Sequence, residues 1–100
     1  MPTLYIYFGL KIIFHSREHE PIHVHGRVGS KESKAEIIFS NGDIISIKFK
    51  RSGTREPLTG KDLKKFKTLV DYYKEDIAEK WINYFCKDMP IETIIINKEL

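Results

Sequence analysis

The sequence predicts an α+β fold in which a small, mainly antiparallel twisted sheet of about five or six short strands packs against one long helix. Apolar and polar residues alternate through the first half of the chain, and apolar residues recur every three or four positions in the second half. With 100 residues, of which 41% are hydrophobic and 31% charged, residues 1–100 are expected to form one domain with its own core.

The first strands are predicted on either side of Gly9. Residues 4–8 alternate between aliphatic or phenylalanine side chains and tyrosines, and residues 10–14 are again largely apolar. We therefore expect two strands, or one strand bent at the glycine. On this pattern Tyr5 and Tyr7 point away from the core and are half-exposed.

A polar loop and a turn are predicted next. Residues 16–22 are mostly polar and contain Pro21, which fixes its own φ angle and disfavours a helix. His23 and His25 then lie in a short extended run, and the glycines and serines of residues 26–33 indicate a turn.

The clearest local signal is a hairpin within residues 35–50. Two runs of period-two apolar residues flank Asn41 and Gly42. This dipeptide readily adopts the positive φ angles of a type I′ turn. The sequence therefore predicts two antiparallel strands joined at this pair.

From Leu63 onwards the apolar spacing is helical, without glycine or proline before Pro90. Thr59 with Asp62 resembles a capping box, so we place the helix from near Gly60 to near Lys87. A helix of this length predicts a kink within residues 71–74. The aromatic residues at its end are assigned to the core: they are Trp81, Tyr84 and Phe85.

A last strand is predicted to begin at Ile91 and end at Ile96. It is apolar on both faces, so it needs cover inside its sheet or from a second copy in a homodimer. The lone Cys86, the missing export signal and the lack of any long apolar run predict a cytoplasmic protein without a membrane span.

All four histidines of the chain lie between His15 and His25, which is the strongest functional signal in the sequence. On a strand, His23 and His25 share a face. With His19 from the preceding loop and a carboxylate they suit a divalent transition metal such as zinc, nickel, manganese or iron. The carboxylate candidates are Glu18 and Glu20. Acid and base catalysis by the same imidazoles on a phosphodiester is the alternative, and solvated histidines are a third interpretation.

Positive charge is concentrated between Lys48 and Lys67, where eight basic residues face two acidic ones, although the net charge is only +3. Cations in the first turns of a helix oppose its macrodipole unless an anion binds there. We therefore predict a site for nucleic acid or another anion, while a simple solvated face is the alternative. Its candidate residues are Lys48, Lys50, Arg51, Arg55, Lys61, Lys64 and Lys65.

The chain resembles a small prokaryotic family called domain of unknown function 4160. The likeness rests on Met1, Pro2 and Thr3, on the histidine segment 18–25 with its His-x-Pro-x-His-x-His pattern, and on residues 81–85. Ile22 stands where members commonly have a second proline. The resemblance implies a small α+β protein, often encoded beside another small domain in an arrangement like a toxin and antitoxin pair.

Two functions follow as hypotheses. The first is a binding component of a toxin-antitoxin-like two-gene module, which contacts a small partner protein through its basic surface or its last strand. The second is a hydrolase, metal-dependent or histidine-based and ribonuclease-like, that uses His19, His23 and His25. A plain nucleic-acid binder is a third possibility, and it would lose affinity steeply with salt.

Overall fold

The computed structural model describes residues 2–15 and 22–100 and has the predicted α+β architecture. In chain order its elements are β1 (Thr3–Tyr7), β2 (Leu10–Ile13), β3 (Ile22–Val28), β4 (Lys31–Ser40), β5 (Asp43–Arg51), α1 (Gly60–Lys87) and β6 (Ile94–Ile96). The strands form one sheet in the order β5-β4-β3-β2-β1-β6. Neighbouring strands are antiparallel, except that β6 runs parallel to β1.

The core lies between α1 and one face of the sheet. The helix packs chiefly on β2, β3 and β4, and the ring of Phe66 lies directly over Gly26, where no Cβ intervenes. The buried helix residues keep the predicted spacing of three and four: they are Phe66, Leu69, Val70, Ile77, Ala78, Trp81 and Phe85. Within the described residues, no helix has both the length and the apolar character needed to cross a membrane.

The helix begins and ends where the sequence predicted. Thr59 has the extended backbone of an N-cap, but its side chain makes no capping hydrogen bond, so the predicted capping box is wrong. Tyr73 leaves helical geometry with φ −104° and ψ 15°, which confirms the predicted break. A straight helix of this length would span roughly 42 Å, which exceeds the 33 Å longest extent of the molecule.

The strands β1 and β2 form a hairpin through Phe8 and Gly9, both at positive φ. The expectation that Tyr5 and Tyr7 are half-exposed is wrong, because both are buried. The kinked helix covers this face of β1, where Tyr73 stacks on Tyr5 with 4.6 Å between ring centroids. The Tyr5 hydroxyl donates a hydrogen bond to Asp76.

The hairpin of β3 and β4 is longer than the sequence indicated. The turn is confined to Gly29 and Ser30 instead of residues 26–33, and Gly29 adopts a φ of 60°. Polar residues on the face opposite α1 interrupt the apolar alternation at the ends of these strands, so the sequence pattern alone indicates a longer turn.

The predicted hairpin of β4 and β5 is confirmed, with Asn41 and Gly42 at positive φ. An irregularity in the pairing after Ile38 breaks the period of two. Ile45 is consequently 62% exposed instead of joining the core. The last strand covers only three residues at the edge beside β1, and it leaves Ile95 72% exposed.

Candidate functional site

The face of the sheet opposite α1 carries a group of polar side chains. Side chains alternate between the two faces along a strand. Gly26 of β3 faces the helix, so its neighbours His25 and Arg27 point to the opposite face. The pairing sets His25 beside Lys34, and it sets Arg27 beside Glu32. The hairpin therefore places an imidazole and a carboxylate on the same surface.

Glu32 is the most buried charged residue of this group, with 1% of its surface exposed. Its Oε1 accepts a hydrogen bond from Nε of Arg27 at 2.8 Å, and Nη2 of the same guanidinium forms an ion pair with this oxygen at 2.7 Å. Arg55 stands further off, with its Nε at 3.9 Å. A buried carboxylate is tolerated only when such partners replace its lost hydration.

The second oxygen of Glu32 faces two imidazoles. Nε2 of His15 lies 3.0 Å from Oε2, without the alignment of a hydrogen bond, and Nδ1 of His25 lies 3.3 Å from the same oxygen. The two rings stand 4.1 Å apart between centroids. One ligand atom from each of the three residues lies within 4.8 Å of the others, which makes them a potential metal triad.

Ser52 fixes the orientation of one imidazole. Its hydroxyl donates a hydrogen bond to Oε2 of Glu32, and its Oγ lies 2.9 Å from Nδ1 of His25. Since a hydroxyl has one proton to donate, Oγ accepts the hydrogen bond from Nδ1–H. The neutral ring of His25 then carries its lone pair on Nε2.

The protonation states agree with this arrangement. Burial lowers the pKa of His25 to about 4, with a further contribution from neighbouring His15 and against the attraction of Glu32. Burial opposes ionisation of Glu32, but hydrogen bonds from Ser52 and Arg27 and the proximity of His15 outweigh it and lower its pKa to about 2. At neutral pH the site holds a carboxylate beside a neutral imidazole.

Two nitrogens of the site have no hydrogen-bond partner within residues 2–15 and 22–100. They are Nε2 of His15 and Nε2 of His25, and both atoms are buried. A buried polar atom without a partner is unfavourable by about 1–3 kcal/mol. Both nitrogens are therefore suited to a ligand.

The site opens on a cleft of about 380 Å³. Besides the triad, it is lined by Ser52, Gly53, Thr54, Arg55 and Lys34. His15 also lines a second cleft of about 390 Å³. That cleft is lined by His15, Tyr84, Phe85, Asp88, Met89 and Pro90.

The structure brings together only part of the metal set that the sequence suggested. His25 belongs to the triad, and His23 lies next to it, with 5.3 Å between the ring centroids. The other candidates, Glu18, His19 and Glu20, lie outside the described residues.

Two residues of the triad, His15 and Glu32, were not among the predicted ligands. The sequence does contain a signal for Glu32, which is its pairing with a basic residue on the neighbouring strand. A tight turn at Gly29 and Ser30 pairs it with Arg27, two residues beyond His25 on the same face.

The predicted basic surface is divided between two sides of the molecule. Lys48 and Lys50 alternate with Phe49, whose ring contacts Phe66 on the helix, so the lysines point away from α1. Lys50 is paired with Glu36 at 2.9 Å. The remaining residues continue from the end of β5 into the first turns of α1: they are Arg51, Arg55, Lys61, Lys64 and Lys65.

Comparison with known families gives a match to the domain of unknown function DUF4160 over residues 9–82. This match covers most of the chain. The chain belongs to this family. The DUF4160 match spans β2 to β5 and most of α1, so it includes the whole His15, His25 and Glu32 triad. Neither the curated proteins nor the solved structures contain a match to the chain.

Proposed function

We propose that this DUF4160 protein binds a divalent transition metal through His15, His25 and Glu32 and hydrolyses phosphate esters there. The observation that carries the proposal is the pair of buried Nε2 atoms without partners among the described residues, next to an anionic carboxylate. Two imidazoles and one carboxylate are a frequent ligand set for catalytic metals.

The distances favour a metal. Metal–ligand bonds of about 2.0–2.2 Å place neighbouring ligand atoms roughly 3.0–3.5 Å apart. The 3.0 Å between Nε2 of His15 and Oε2 of Glu32 is in this range, and a ligand atom of His25 lies within 4.8 Å of the ligand atoms of the other two residues. The hydrogen bond from Ser52 to the carboxylate and its contact with Nδ1 of His25 provide the support that metal ligands usually have.

The alternative of acid and base catalysis without a metal is less well supported. A general base works best when its pKa lies near the operating pH, and burial lowers that of His25 to about 4. A neutral imidazole is nevertheless the form that binds a metal. The same ring is therefore a weak proton acceptor and a good ligand.

The walls of the cleft favour an anionic substrate. Lys34 and Arg55 line it beside the triad, and a guanidinium pairs well with phosphate oxygens. A metal in the triad would supply hydroxide from bound water. Attack of this hydroxide on phosphorus would form one P–O bond and break the ester P–O bond, and the leaving oxygen would take up the proton released by the bound water, which gives an alcohol or phenol and a phosphate with one ester bond fewer.

The test measures metal content and hydrolysis in protein purified without a histidine tag. After incubation with Zn²⁺ or Mn²⁺ and removal of excess metal, the wild type should hold about one ion per chain, and Glu32→Gln and His25→Ala should lose it. Hydrolysis of bis(4-nitrophenyl) phosphate should disappear in the same variants.

His23→Asn is the matched control, because its ring is adjacent but lies outside the triad. Retention of metal in this variant is expected. Loss of metal there, with retention in Glu32→Gln, would instead support the ligand set predicted from the sequence. A wild type that binds no metal would refute the proposal.

A second function, as a binding component of a two-gene module, is favoured by the exposed apolar residues at the sheet edges. Ile95 on β6 and Ile45 on β5 are the most exposed large aliphatic side chains of the described residues. Edge strands with such residues invite pairing with another chain. A partner protein or a second copy would cover them.

Co-expression with the product of the neighbouring gene tests this function. The two proteins should elute together in size exclusion, and Ile95→Lys or Ile45→Lys should separate them. Elution as independent monomers at micromolar concentration would exclude the binding role, whereas a dimer of this chain alone, lost in Ile95→Lys, would support the predicted homodimer.

A further inference from the structure

We infer that the second cleft lined by His15 binds a nucleobase, so the substrate of the proposed metal site is a nucleotide. This inference rests on the proposed function and names its substrate class. The observation behind it is that His15 lines both clefts, one with cationic walls and one with aromatic walls.

One cleft is cationic and the other is aromatic, and a nucleotide combines an anionic phosphate with an aromatic base. On one side Lys34 and Arg55 stand where a phosphate meets the triad. On the other side Tyr84 and Met89 provide apolar and polarisable surface. The volumes of about 380 Å³ and 390 Å³ are each large enough for one half of a nucleotide.

Tyr84 is the residue most suited to stack on a base. It lies in the last turn but one of α1 and is only half-buried, whereas Trp81 and Phe85 are buried in the core. Phe85 meets its ring edge-on at 4.9 Å, and Phe14 lies at 6.0 Å. The ring is thereby held in place at the wall of the cleft, and aromatic rings of this kind are the usual platforms for unpaired bases.

Asp88 adds an acceptor at the same cleft. It caps the helix in the left-handed region, with φ 53°, and its backbone N–H donates to the carbonyl oxygen of Asn83. Asp88 lines the cleft together with Tyr84 and Met89. An ionised carboxylate accepts hydrogen bonds, and the edge of a base offers N–H donors to it. A phosphate group offers acceptor oxygens instead, so a carboxylate at this cleft favours a base over a phosphate.

The experiment compares the binding of GMP, AMP, ribose 5-phosphate and inorganic phosphate to the metal-loaded protein by calorimetry. The nucleotides should bind at least about tenfold more tightly than ribose 5-phosphate, because one stacked base contributes a factor of this order. Tyr84→Leu should abolish this difference, while Tyr84→Phe, which keeps the aromatic ring, should retain it. Asp88→Asn should change the ratio of GMP to AMP affinity.

Equal binding of nucleotides and ribose 5-phosphate, or a nucleotide preference that survives in Tyr84→Leu, would overturn the inference. Metal content measured on the same samples separates this failure from failure of the proposed function. A metal-loaded protein without base preference retains the metal site and loses the nucleotide assignment. A protein that takes up no metal loses the proposed function and, with it, this inference.

Discussion

At the scale of single residues, Glu32 organises the site because each of its polar groups has a separate role. Its Oε1 pairs with Arg27, its Oε2 meets Ser52 and the imidazoles, and its backbone N–H donates to the carbonyl oxygen of Glu56 at 2.9 Å. The last bond attaches the loop after β5 to the start of β4. Ser52, the first residue of this loop, directly follows β5 and donates a hydrogen bond to the same carboxylate.

Ser52→Ala should weaken metal binding by about 10–100-fold without removing a ligand, which is the usual effect of losing a group that orients one. The hydroxyl donates to Glu32 and contacts Nδ1 of His25, so both ligands lose a fixed orientation. Competition with a chromophoric chelator measures the affinity. Thr54→Val is the control, since this hydroxyl lines the same cleft outside the triad. Equal affinities in both variants would contradict the role of Ser52.

Gly26→Ala should destabilise the protein by about 1–3 kcal/mol, the range for overfilling a packed core. An added Cβ would stand 2.6 Å from Cδ1 of Phe66, whose ring is fully buried. Urea unfolding of the purified variants measures the free energy of unfolding. In a Phe66→Leu background, Gly26→Ala should cost less free energy of unfolding than it costs in the wild type, because the smaller side chain leaves room for the added Cβ. Additive losses would show that the contact is not the cause.

At the scale of elements, α1 and β1 are joined by a polar contact at the edge of their apolar interface. Asp76 accepts hydrogen bonds from the Tyr5 hydroxyl and from Lys80, the latter at 2.7 Å. Lys80 also lies 5.4 Å from the centroid of the Tyr5 ring. This contact lies just beyond the break at Tyr73, and residues of the helix are buried on both sides of the break.

The Asp76 contact should make the wild type more sensitive to acid than Asp76→Asn. Partial burial opposes ionisation of Asp76, but hydrogen bonds from Lys80 and Tyr5 outweigh it and lower its pKa below the ordinary value of 3.8. A lowered carboxyl pKa contributes stability above the unfolded-state pKa, and this contribution is lost as the pH falls through the folded-state value. The stability advantage of the wild type should therefore be constant between about pH 5 and 7 and decline as the pH falls below the ordinary carboxyl value of 3.8.

Urea unfolding of both proteins across this range measures the difference. Lys87→Gln, in the last turn of the same helix, is the control and should leave the acid limb unchanged. An advantage that does not vary with pH would show that Asp76 acts through packing.

At the scale of the whole molecule, the sheet separates two charged surfaces. Lys48 and Lys50 project from the face opposite α1, whereas Lys61 and Lys64 lie exposed on the helix. One straight stretch of nucleic acid is therefore expected to engage only one group. The sequence presented both as a single basic segment, because it carries no information on the sides of a sheet.

Alanine substitution of each pair should accordingly give unequal effects on nucleic-acid binding. The pair that contacts phosphates should lower the slope of log affinity against log salt by about 0.7–0.9 per lysine, through lost counterion release. The other pair should leave the slope unchanged. Fluorescence anisotropy with a labelled RNA at several salt concentrations measures both. Equal reductions would contradict the division into two surfaces, and a flat salt response in the wild type would exclude nucleic-acid binding.

The sequence by itself determined the features that depend on local chemistry. The period of apolar residues in α1, the break near Tyr73 and the turn at Asn41 and Gly42 follow from backbone preferences and from the burial of one face. The family could also be predicted, because the match over residues 9–82 confirms the resemblance. Each of these signals lies within a short stretch of chain.

Tertiary structure alone decided which residues meet. Tyr5 is buried because a helix about seventy residues further along the chain covers it, and the hydroxyl of buried Tyr7 accepts a hydrogen bond from the backbone N–H of Leu100. The triad joins His15, His25 and Glu32 from three places in the chain, with Ser52 from a fourth. Sequence periodicity reports the face of a strand but not its neighbours. The pairing of β2 with β3 and of β3 with β4 is therefore what converted a run of histidines into a site with a carboxylate at its centre.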